Sequence, residues 1–180
     1  MVELVHFVVV SGWTGGGKST LANTLADQLQ ATVISIDWIM SGLRAFPSVW
    51  DVVENPPEHQ RRVGWTLMGR VAEQQLQRQS SVVMDLVARD EILETWSDLA
   101  KRYDAKFTVI ECTCSDIEIH RSRIEQRVRN IPDWYELTWD RVLRGRDLYS
   151  RLTGPKLELD TITPFDHTVA LAKRFVIGSS

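Results

Sequence analysis

The chain has 180 residues, of which 43% are hydrophobic and 25% charged, and this argues against a disordered, collagen-like or coiled-coil protein. Its 21 basic and 24 acidic residues give a net charge of −3, which disfavours the basic surface that non-specific nucleic-acid binding requires. No apolar run approaches the roughly 20 residues of a membrane span, and no signal-peptide pattern is present. Cys112 and Cys114 are interpreted as reduced core residues. We therefore expect a cytoplasmic protein with one domain over residues 1–177 and a tail at 178–180.

Strand-like and helix-like segments alternate along the chain. Residues 4–11 (LVHFVVVS) are typical of a strand that is buried on both faces. In chain order, the predicted elements are a strand at 4–11, a helix at 18–30, a strand at 32–36, a loop with at most one short helix at 41–57, a helix at 58–79, a strand at 81–87, a helix at 90–102, a strand at 106–113, a helix at 115–129, a loop at 130–136, a helix at 137–150, a strand at 156–159 and a helix at 165–175.

This alternation predicts a three-layer α/β fold in which a doubly wound sheet of five parallel strands lies between helices. Ligands bind such sheets beyond the carboxyl ends of the strands. The loops that follow Ser11, Ile36, Asp85 and Thr113 should therefore share one site, and polar residues in these loops are the best candidates for function.

A phosphate-binding pattern lies between the first predicted strand and helix. The residues that match G-x-x-x-x-G-K-[ST] are Gly12, Trp13, Thr14, Gly15, Gly16, Gly17, Lys18 and Ser19. Glycines let backbone N–H groups surround a phosphate, and the N-terminus of the following helix adds its dipole. The Lys18 ammonium can reach the outer phosphates, and the Ser19 hydroxyl can bind Mg²⁺. Thr20 adds a second hydroxyl near the α-phosphate.

Four features together resemble a small P-loop kinase: GWTGGGKSTLA after a hydrophobic strand, Asp37 after the second strand, Asp85 at the third, and an arginine-rich helix from Ser115. The family is the AAA-domain, kinase-like ATP-binding group, which is similar to chloramphenicol phosphotransferase, zeta toxins and polynucleotide kinase domains. The resemblance covers nearly the whole chain and implies a P-loop NTPase fold of the nucleoside- and nucleotide-kinase type that uses ATP and Mg²⁺. The motifs are specific for nucleotide use but not for the acceptor.

Asp37 ends the second predicted strand at the expected rim of the site. A carboxylate there can accept the proton of a hydroxyl and align its oxygen with the γ-phosphorus, and the resemblance assigns this catalytic role to an acidic residue at this place. The alternative is an N-cap of a following helix. Arg44 is a candidate for binding an acceptor anion or is solvated. The segment bounded by Trp38 and Trp50 is predicted to form an acceptor pocket with aromatic walls.

Asp85 ends the third predicted strand after an apolar run, in the manner of a Walker-B carboxylate. It is predicted to bind Mg²⁺ together with Ser19, directly or through water, or to contact the acceptor instead. Local capping of the next helix is the alternative. Arg89 lies just beyond and could bind a phosphate or pair with Asp85.

The predicted helix at 115–129 places Arg123 and Arg127 at i and i+4, on one face. Residues 119–156 contain nine basic and five acidic side chains, whereas the rest of the chain is acidic. This favours a lid at about 115–150 whose arginines neutralise charge on the transferred phosphoryl group. The resemblance places lid arginines in an R-x-x-x-R pattern, which Arg123 and Arg127 match. A solvated helix with surface ion pairs is the alternative.

The remaining motifs carry weaker signals. Trp13 either shields the phosphates or packs on a neighbouring helix. Trp65 and Trp96 are predicted to be core residues, and the four histidines show no metal-ligand spacing, so they are assigned no chemistry. The pair Asp160 and Thr161 resembles one that lies near adenine in the family, although a turn explains it equally well.

The sequence thus predicts a phosphotransferase that moves the γ-phosphate of Mg·ATP to an alcohol group of a small molecule, such as a sugar, nucleoside or antibiotic. The alternatives are a polynucleotide 5′-hydroxyl kinase, for which nucleic acid is a disfavoured but possible partner, and a non-catalytic or slowly hydrolysing ATP-binding regulatory module. The predicted catalytic residues are Lys18, Asp37, Arg123 and Arg127. The predicted acceptor-binding residues are Asp37, Trp38, Arg44, Asp85 and Arg89. No membrane partner is expected, and the oligomeric state is left open.

Overall fold

The computed structural model describes residues 4–146 and 149–178, which are built around a five-stranded sheet. The strands are β1 His6–Gly12, β2 Thr32–Ser35, β3 Val82–Asp85, β4 Lys106–Thr113 and β5 Leu157–Asp160. All neighbouring strands are parallel, and their order is β2-β3-β1-β4-β5. The order reverses beside β1, so the predicted doubly wound α/β sheet is confirmed, and the site is expected at the carboxyl end of β1.

Helices cover both faces of the sheet. They are α1 Lys18–Leu29, α2 Ile36–Arg44, α3 Pro47–Glu54, α4 Pro57–Gln77, α5 Asp90–Arg102, α6 Ile117–Gln126, α7 Trp139–Arg146 and α8 Phe165–Ile177. The helices α1 and α8 pack on one face, and α4 and α5 pack on the other. None of the described helices is long and apolar enough to cross a membrane.

Strand β1 is buried along its whole length because it lies between these two helical layers. Its alternate side chains belong to separate cores: Val8 packs toward α1 with Leu25, whereas Phe7 packs toward α5 with Trp96. This two-sided burial explains the continuous apolar run of the sequence. Trp65 and Trp96 are buried, as predicted.

The prediction of a loop with at most one short helix at 41–57 is wrong, because helices α2 and α3 occupy most of that range. Pro47 stands in the first turn of α3, where proline's fixed φ fits a helix and its missing N–H costs no hydrogen bond. Met40, Trp50 and Val53 then form a small buried cluster between the two helices. Burial of the apolar faces of α2 and α3 in this cluster outweighs the tendency of the prolines to break a helix.

The prediction of one helix at 115–129 also needs correction. Helix α6 begins at the cap Asp116, whose carboxylate accepts two backbone N–H groups, and it ends at Gln126. Arg127 has extended backbone, with φ −79° and ψ 128°. Of the predicted helix at 137–150, α7 accounts for Trp139–Arg146 and residues 147–148 lie outside the described residues, as do residues 179–180 of the predicted tail.

Candidate functional site

The glycine-rich loop at residues 12–17 curls between β1 and α1, and two of its glycines are required by geometry. Gly12 has φ +131°, and a Cβ there would lie 2.0 Å from the carbonyl oxygen of Cys112 on β4. Gly17 has φ +82° and is the N-cap of α1, with no side-chain cap on the helix. The first N–H groups of α1 are therefore available to an anion, as the sequence motif predicts.

The three polar residues that the sequence assigns to phosphate and metal meet below this loop. The buried Lys18 donates from Nζ to the Trp13 carbonyl oxygen at 3.1 Å, and burial lowers the pKa of its ammonium from the ordinary 10.5, against the opposing charge of Asp85. Asp85 pairs with Val10 and Ser35 in the sheet register. Burial raises the pKa of Asp85, against Lys18 and a hydrogen bond from Ser19.

This donor set fits Mg²⁺, which prefers carboxylate and hydroxyl oxygens and takes few protein ligands when phosphates supply others. Among the described residues there is no cluster of three or more His, Cys, Asp or Glu side chains that could hold a metal without such help. Capping by Asp85 is not observed, because Arg89 is the N-cap residue of α5 and no side chain caps that helix.

Asp37 lies in the first turn of α2 rather than in a loop after the strand. Ser35 occupies the N-cap position, and no side-chain bond caps this helix, so the capping alternative for Asp37 does not hold. The Asp37 carboxylate instead accepts a hydrogen bond at Oδ2 from Arg129 Nη1, at 2.7 Å. Within residues 4–146 and 149–178, its Oδ1 has no hydrogen-bond partner.

Arg129 is a site residue that the sequence analysis missed. Its side chain is only 4% exposed, and besides Asp37 it binds the Tyr135 carbonyl oxygen and the Glu136 carboxylate. Glu136 also accepts the backbone N–H of Arg129 at 2.9 Å, which closes the loop, and these hydrogen bonds lower the pKa of Glu136. One sequence feature could have indicated its role. Arg127 and Arg129 are two residues apart, and side chains at this spacing point the same way when the backbone is extended.

The two predicted lid arginines have different environments. Arg127 Nη2 lies 3.2 Å from Ser19 Oγ, and burial together with the charge of Arg129 lowers the pKa of Arg127. Arg123 binds the hydroxyl and carbonyl oxygens of Thr161, at 2.8 and 2.7 Å, after β5. The expectation that both arginines share one helical face is wrong, because α6 ends between them.

Trp13 packs on a neighbouring helix, which is one of its two predicted roles. Its ring meets the ring of His120 on α6 edge-to-face, with 4.5 Å between centroids, and His120 Nε2 lies 2.7 Å from the Thr14 carbonyl oxygen. A Cβ at Gly15 would lie 2.6 Å from the same His120 nitrogen. His120, to which the sequence analysis assigned no chemistry, therefore connects the glycine-rich loop to α6.

Three cavities lie along the carboxyl edge of the sheet, and we name them by their linings. The loop cavity, about 430 Å³, lies between the glycine-rich loop and Arg123, Thr161 and Phe165. The central cavity, about 550 Å³, is lined by Ser19, Thr20, Asn23, Thr24, Val33, Ser35, Asp37, Trp38, Asp85, Arg127, Val128, Arg129 and Ile131. The aromatic cavity, about 230 Å³, is lined by Ile36, Asp37, Met40, Gln60, Arg61, Trp65, Val87, Ala88, Arg89, Trp134, Tyr135, Tyr149 and Ser150.

Shared residues join these cavities in a row. Ser19, Thr20 and Arg127 line both the loop and the central cavity. Asp37 lines both the central and the aromatic cavity. The row therefore passes from the glycine-rich loop, over Ser19, to the carboxylate of Asp37.

The predicted acceptor residues are divided among different places. Trp38 is exposed and lines the central cavity, whereas Arg89 lines the aromatic cavity. Trp50 is buried in the α2–α3 cluster and is not among the described residues that line the three cavities. Arg44 is also outside these linings, with its guanidinium 5.8 Å from the ring centroid of Trp134.

These features define a P-loop NTPase fold. They are a parallel sheet, a glycine-rich loop that leads into a helix N-terminus, and a lysine, a serine and a strand-end aspartate beneath that loop. The sequence matches the family described as AAA domain over residues 7–152, and the chain belongs to that family. No protein of curated function matches the sequence.

Several solved structures are similar to this chain over nearly its whole length. A sugar kinase from Janibacter sp. HTCC2649 is 14% identical, with a TM-score of 0.68 over 97% of this chain and 96% of that one. A gluconokinase from Sinorhizobium meliloti 1021 is 15% identical, with a TM-score of 0.64 over 97% and 93%. The Mycobacterium tuberculosis APS kinase, in complex with AMPPNP and APS, is 15% identical, with a TM-score of 0.65 over 98% and 100%. These likenesses establish the shared fold.

Proposed function

We propose that this protein is an ATP-dependent phosphotransferase that transfers the γ-phosphate of ATP to an alcohol group of a small molecule. The observation that carries the proposal is the row of cavities. Ser19 and Arg127 lie where the loop and central cavities meet, and Asp85 lines the central cavity. Asp37 stands where the central cavity meets the aromatic one. A phosphate donor and a hydroxyl acceptor could thus approach the same point from opposite sides.

The nucleotide is assigned to the loop cavity and the glycine-rich loop. The backbone N–H groups of the loop and the Lys18 ammonium bind the phosphate chain. Arg123 and Phe165 line the far part of the same cavity, where a planar guanidinium and an aromatic ring suit a flat base. Ser19 and Asp85 would hold Mg²⁺, which when bound neutralises charge on the β- and γ-phosphates.

The transfer itself needs a base and a group that stabilises the moving phosphoryl. Asp37 Oδ1 accepts the proton of the acceptor hydroxyl, whose oxygen forms a bond to the γ-phosphorus. The bond between the γ-phosphorus and the β–γ bridging oxygen breaks in line, and ADP leaves with the electron pair. Arg127, which already contacts Ser19 Oγ, lies where it can stabilise the charge on the phosphoryl oxygens.

Arg129 holds the Asp37 carboxylate in place on the side away from the acceptor. Its hydrogen bond to Asp37 Oδ2 orients the carboxylate and leaves Oδ1 directed to the acceptor. Because a single residue separates Arg127 from Arg129, closure of Arg127 on the nucleotide side and support of Asp37 on the acceptor side are expected to occur together. Such closure also excludes water, which competes as an acceptor.

The proposal is tested by measuring ADP formation from Mg·ATP in the presence of pooled sugars, nucleosides, aminoglycoside and phenicol antibiotics, and 5′-hydroxyl oligonucleotides. Stimulation by a small-molecule pool, absent in the Lys18→Ala variant and retained when the exposed Lys173 is replaced by alanine, is the expected result. Stimulation by oligonucleotides alone, falling steeply with salt, would favour a polynucleotide kinase instead. Tight ATP binding without stimulation by any pool would favour a regulatory module.

A further inference from the structure

Four side chains that carry hydrogen-bond donors line the aromatic cavity. Arg61 comes from α4 and Arg89 from the N-cap of α5, and both line the cavity. Trp65 and Trp134 line it as well, and their indole Nε1 atoms are buried. Within the part of the chain that the structure describes, neither indole N–H has a hydrogen-bond acceptor.

Buried donors without acceptors are rare in proteins because desolvating an N–H group without a partner is costly. Two such donors in side chains that line one cavity, together with the guanidinium of Arg61, therefore favour a ligand that brings acceptor oxygens. Asp37 is the one carboxylate among the described lining residues, and its Oδ2 is already paired with Arg129. The charge of Arg61 is not offset by an ion pair within the described residues.

We propose that the aromatic cavity is an oxyanion subsite, so that the acceptor is a compact alcohol that carries a phosphate, sulfate or carboxylate group. Arg61 binds the anion, and the hydroxyl of the acceptor lies at Asp37. This inference rests on the proposed phosphotransfer and narrows its substrate class.

The size of the cavity supports a small acceptor. Its volume of about 230 Å³ is below the range of roughly 300–1,000 Å³ that is usual for drug-sized ligands. Trp65 closes it from the α4 side with a side chain that is only 4% exposed, and Tyr149 is held at its rim by a hydrogen bond to the fully buried Glu111. Trp65 belongs to the core, and these walls suit a sugar-sized molecule better than an extended chain.

A direct test uses inorganic sulfate as the probe, because sulfate presents the same oxygens without requiring the acceptor to be known. The protein is first saturated with Mg·AMPPNP, which blocks the glycine-rich loop as an alternative anion site. Sulfate is then titrated while the indole N–H signals are followed by ¹H–¹⁵N NMR, with Trp65→Phe and Trp134→Phe used to assign the two relevant peaks. Saturable shifts of these two peaks are the expected result.

Arg62 provides a matched control for Arg61, because both residues are exposed on α4 and only Arg61 lines the cavity. Arg61→Ala should weaken sulfate binding about tenfold, as loss of a charge-assisted hydrogen bond implies, whereas Arg62→Ala should leave it unchanged. Absence of a saturable shift, or equal binding by the two variants, would overturn the inference. Unchanged circular dichroism spectra verify that both variants fold.

Substrate pairs separate this inference from the proposed function itself. Glycerol is compared with glycerol 3-phosphate, ribose with ribose 5-phosphate, and glucose with gluconate, by ADP formation. Preference for the anionic member of a pair, reduced in Arg61→Ala, supports the subsite. Turnover of neutral alcohols with equal efficiency, dependent on Lys18 and Asp37, would retain the phosphotransferase and reject the anionic acceptor.

Discussion

The glycine-rich loop and the aromatic cavity differ in how the chain builds them. The loop is made by neighbouring residues on one strand–turn–helix unit, and its shape follows from glycines such as Gly12 and Gly17. The aromatic cavity collects Arg61, Arg89 and Trp134 from segments far apart in the sequence. A site made from contiguous residues can be read from spacing alone, whereas a site made from distant segments depends on packing.

The two regions are also stabilised differently. The loop is held by backbone constraints and by the contact of His120 with the Thr14 carbonyl oxygen. The aromatic region is held by ring packing: Trp134 stacks on Tyr135 at 4.7 Å, and Arg141 lies 3.7 Å over the same Tyr135 ring. Side-chain packing of this kind lies outside the sheet, so substitutions in this region are expected to leave the sheet intact.

Replacing Lys18 by alanine is expected to have the largest effect, because it removes a buried cation that no neighbouring side chain in the loop can replace. Phosphotransfer should fall by about 1,000-fold or more, as it does when preorganised charge at a reacting phosphate is lost. ADP formation measured by a coupled assay checks this. Activity within tenfold of the parent protein would remove Lys18 from the catalytic assignment.

Replacing Asp37 by asparagine should affect the acceptor side alone. We expect kcat to fall by roughly 100- to 10,000-fold, because the general base is lost, while the Kd for ATP changes by less than about twofold. Steady-state kinetics and nucleotide titration separate these two effects. A variant with intact kcat would show that Asp37 is not the base.

Replacing Arg129 by glutamine should have a smaller effect than replacing Asp37, because Arg129 positions the base rather than reacting. We expect kcat to fall by about ten- to 100-fold with little change in ATP affinity. Arg129→Lys should restore part of the activity, because an ammonium can still donate to Asp37 Oδ2. Its compact shape does not reproduce the planar guanidinium, which also reaches Tyr135 and Glu136. Equal loss in both variants, accompanied by unfolding, would indicate a purely structural role.

The smallest expected effect is a pH dependence of nucleotide binding. Burial lowers the pKa of Lys18 from 10.5, so the free protein loses this positive charge at a lower pH than an ordinary lysine would. Since phosphates prefer the protonated form, ATP affinity should decline as pH rises through that lowered pKa. Titration of a fluorescent ATP analogue from pH 7 to 10 tests this. The Lys18→Arg variant, if it still binds, should show no such decline, because arginine stays charged.

The sequence by itself determined the sheet, the glycine-rich loop and the meeting of Lys18, Ser19 and Asp85. Apolar strand segments and helical periodicity predict the sheet. The fixed spacing of the phosphate-binding motif predicts the glycine-rich loop. The three polar residues meet because the carboxyl ends of parallel strands lie at one edge of the sheet, which places Asp85 beside Val10 at the end of β1.

Only the tertiary structure decided the arrangement of residues on the proposed acceptor side. The sequence predicted a helix through Arg129, but α6 ends at Gln126 and Arg127 has extended backbone. There Arg127 donates a hydrogen bond to Ser19, and Arg129 forms an ion pair with Asp37. The prolines at 47–57 suggested a loop, yet burial of Trp50 stabilises a helix there. Long-range pairs of this kind leave no periodic trace in the sequence, because their partners are separated by tens of residues and meet only when the core has formed.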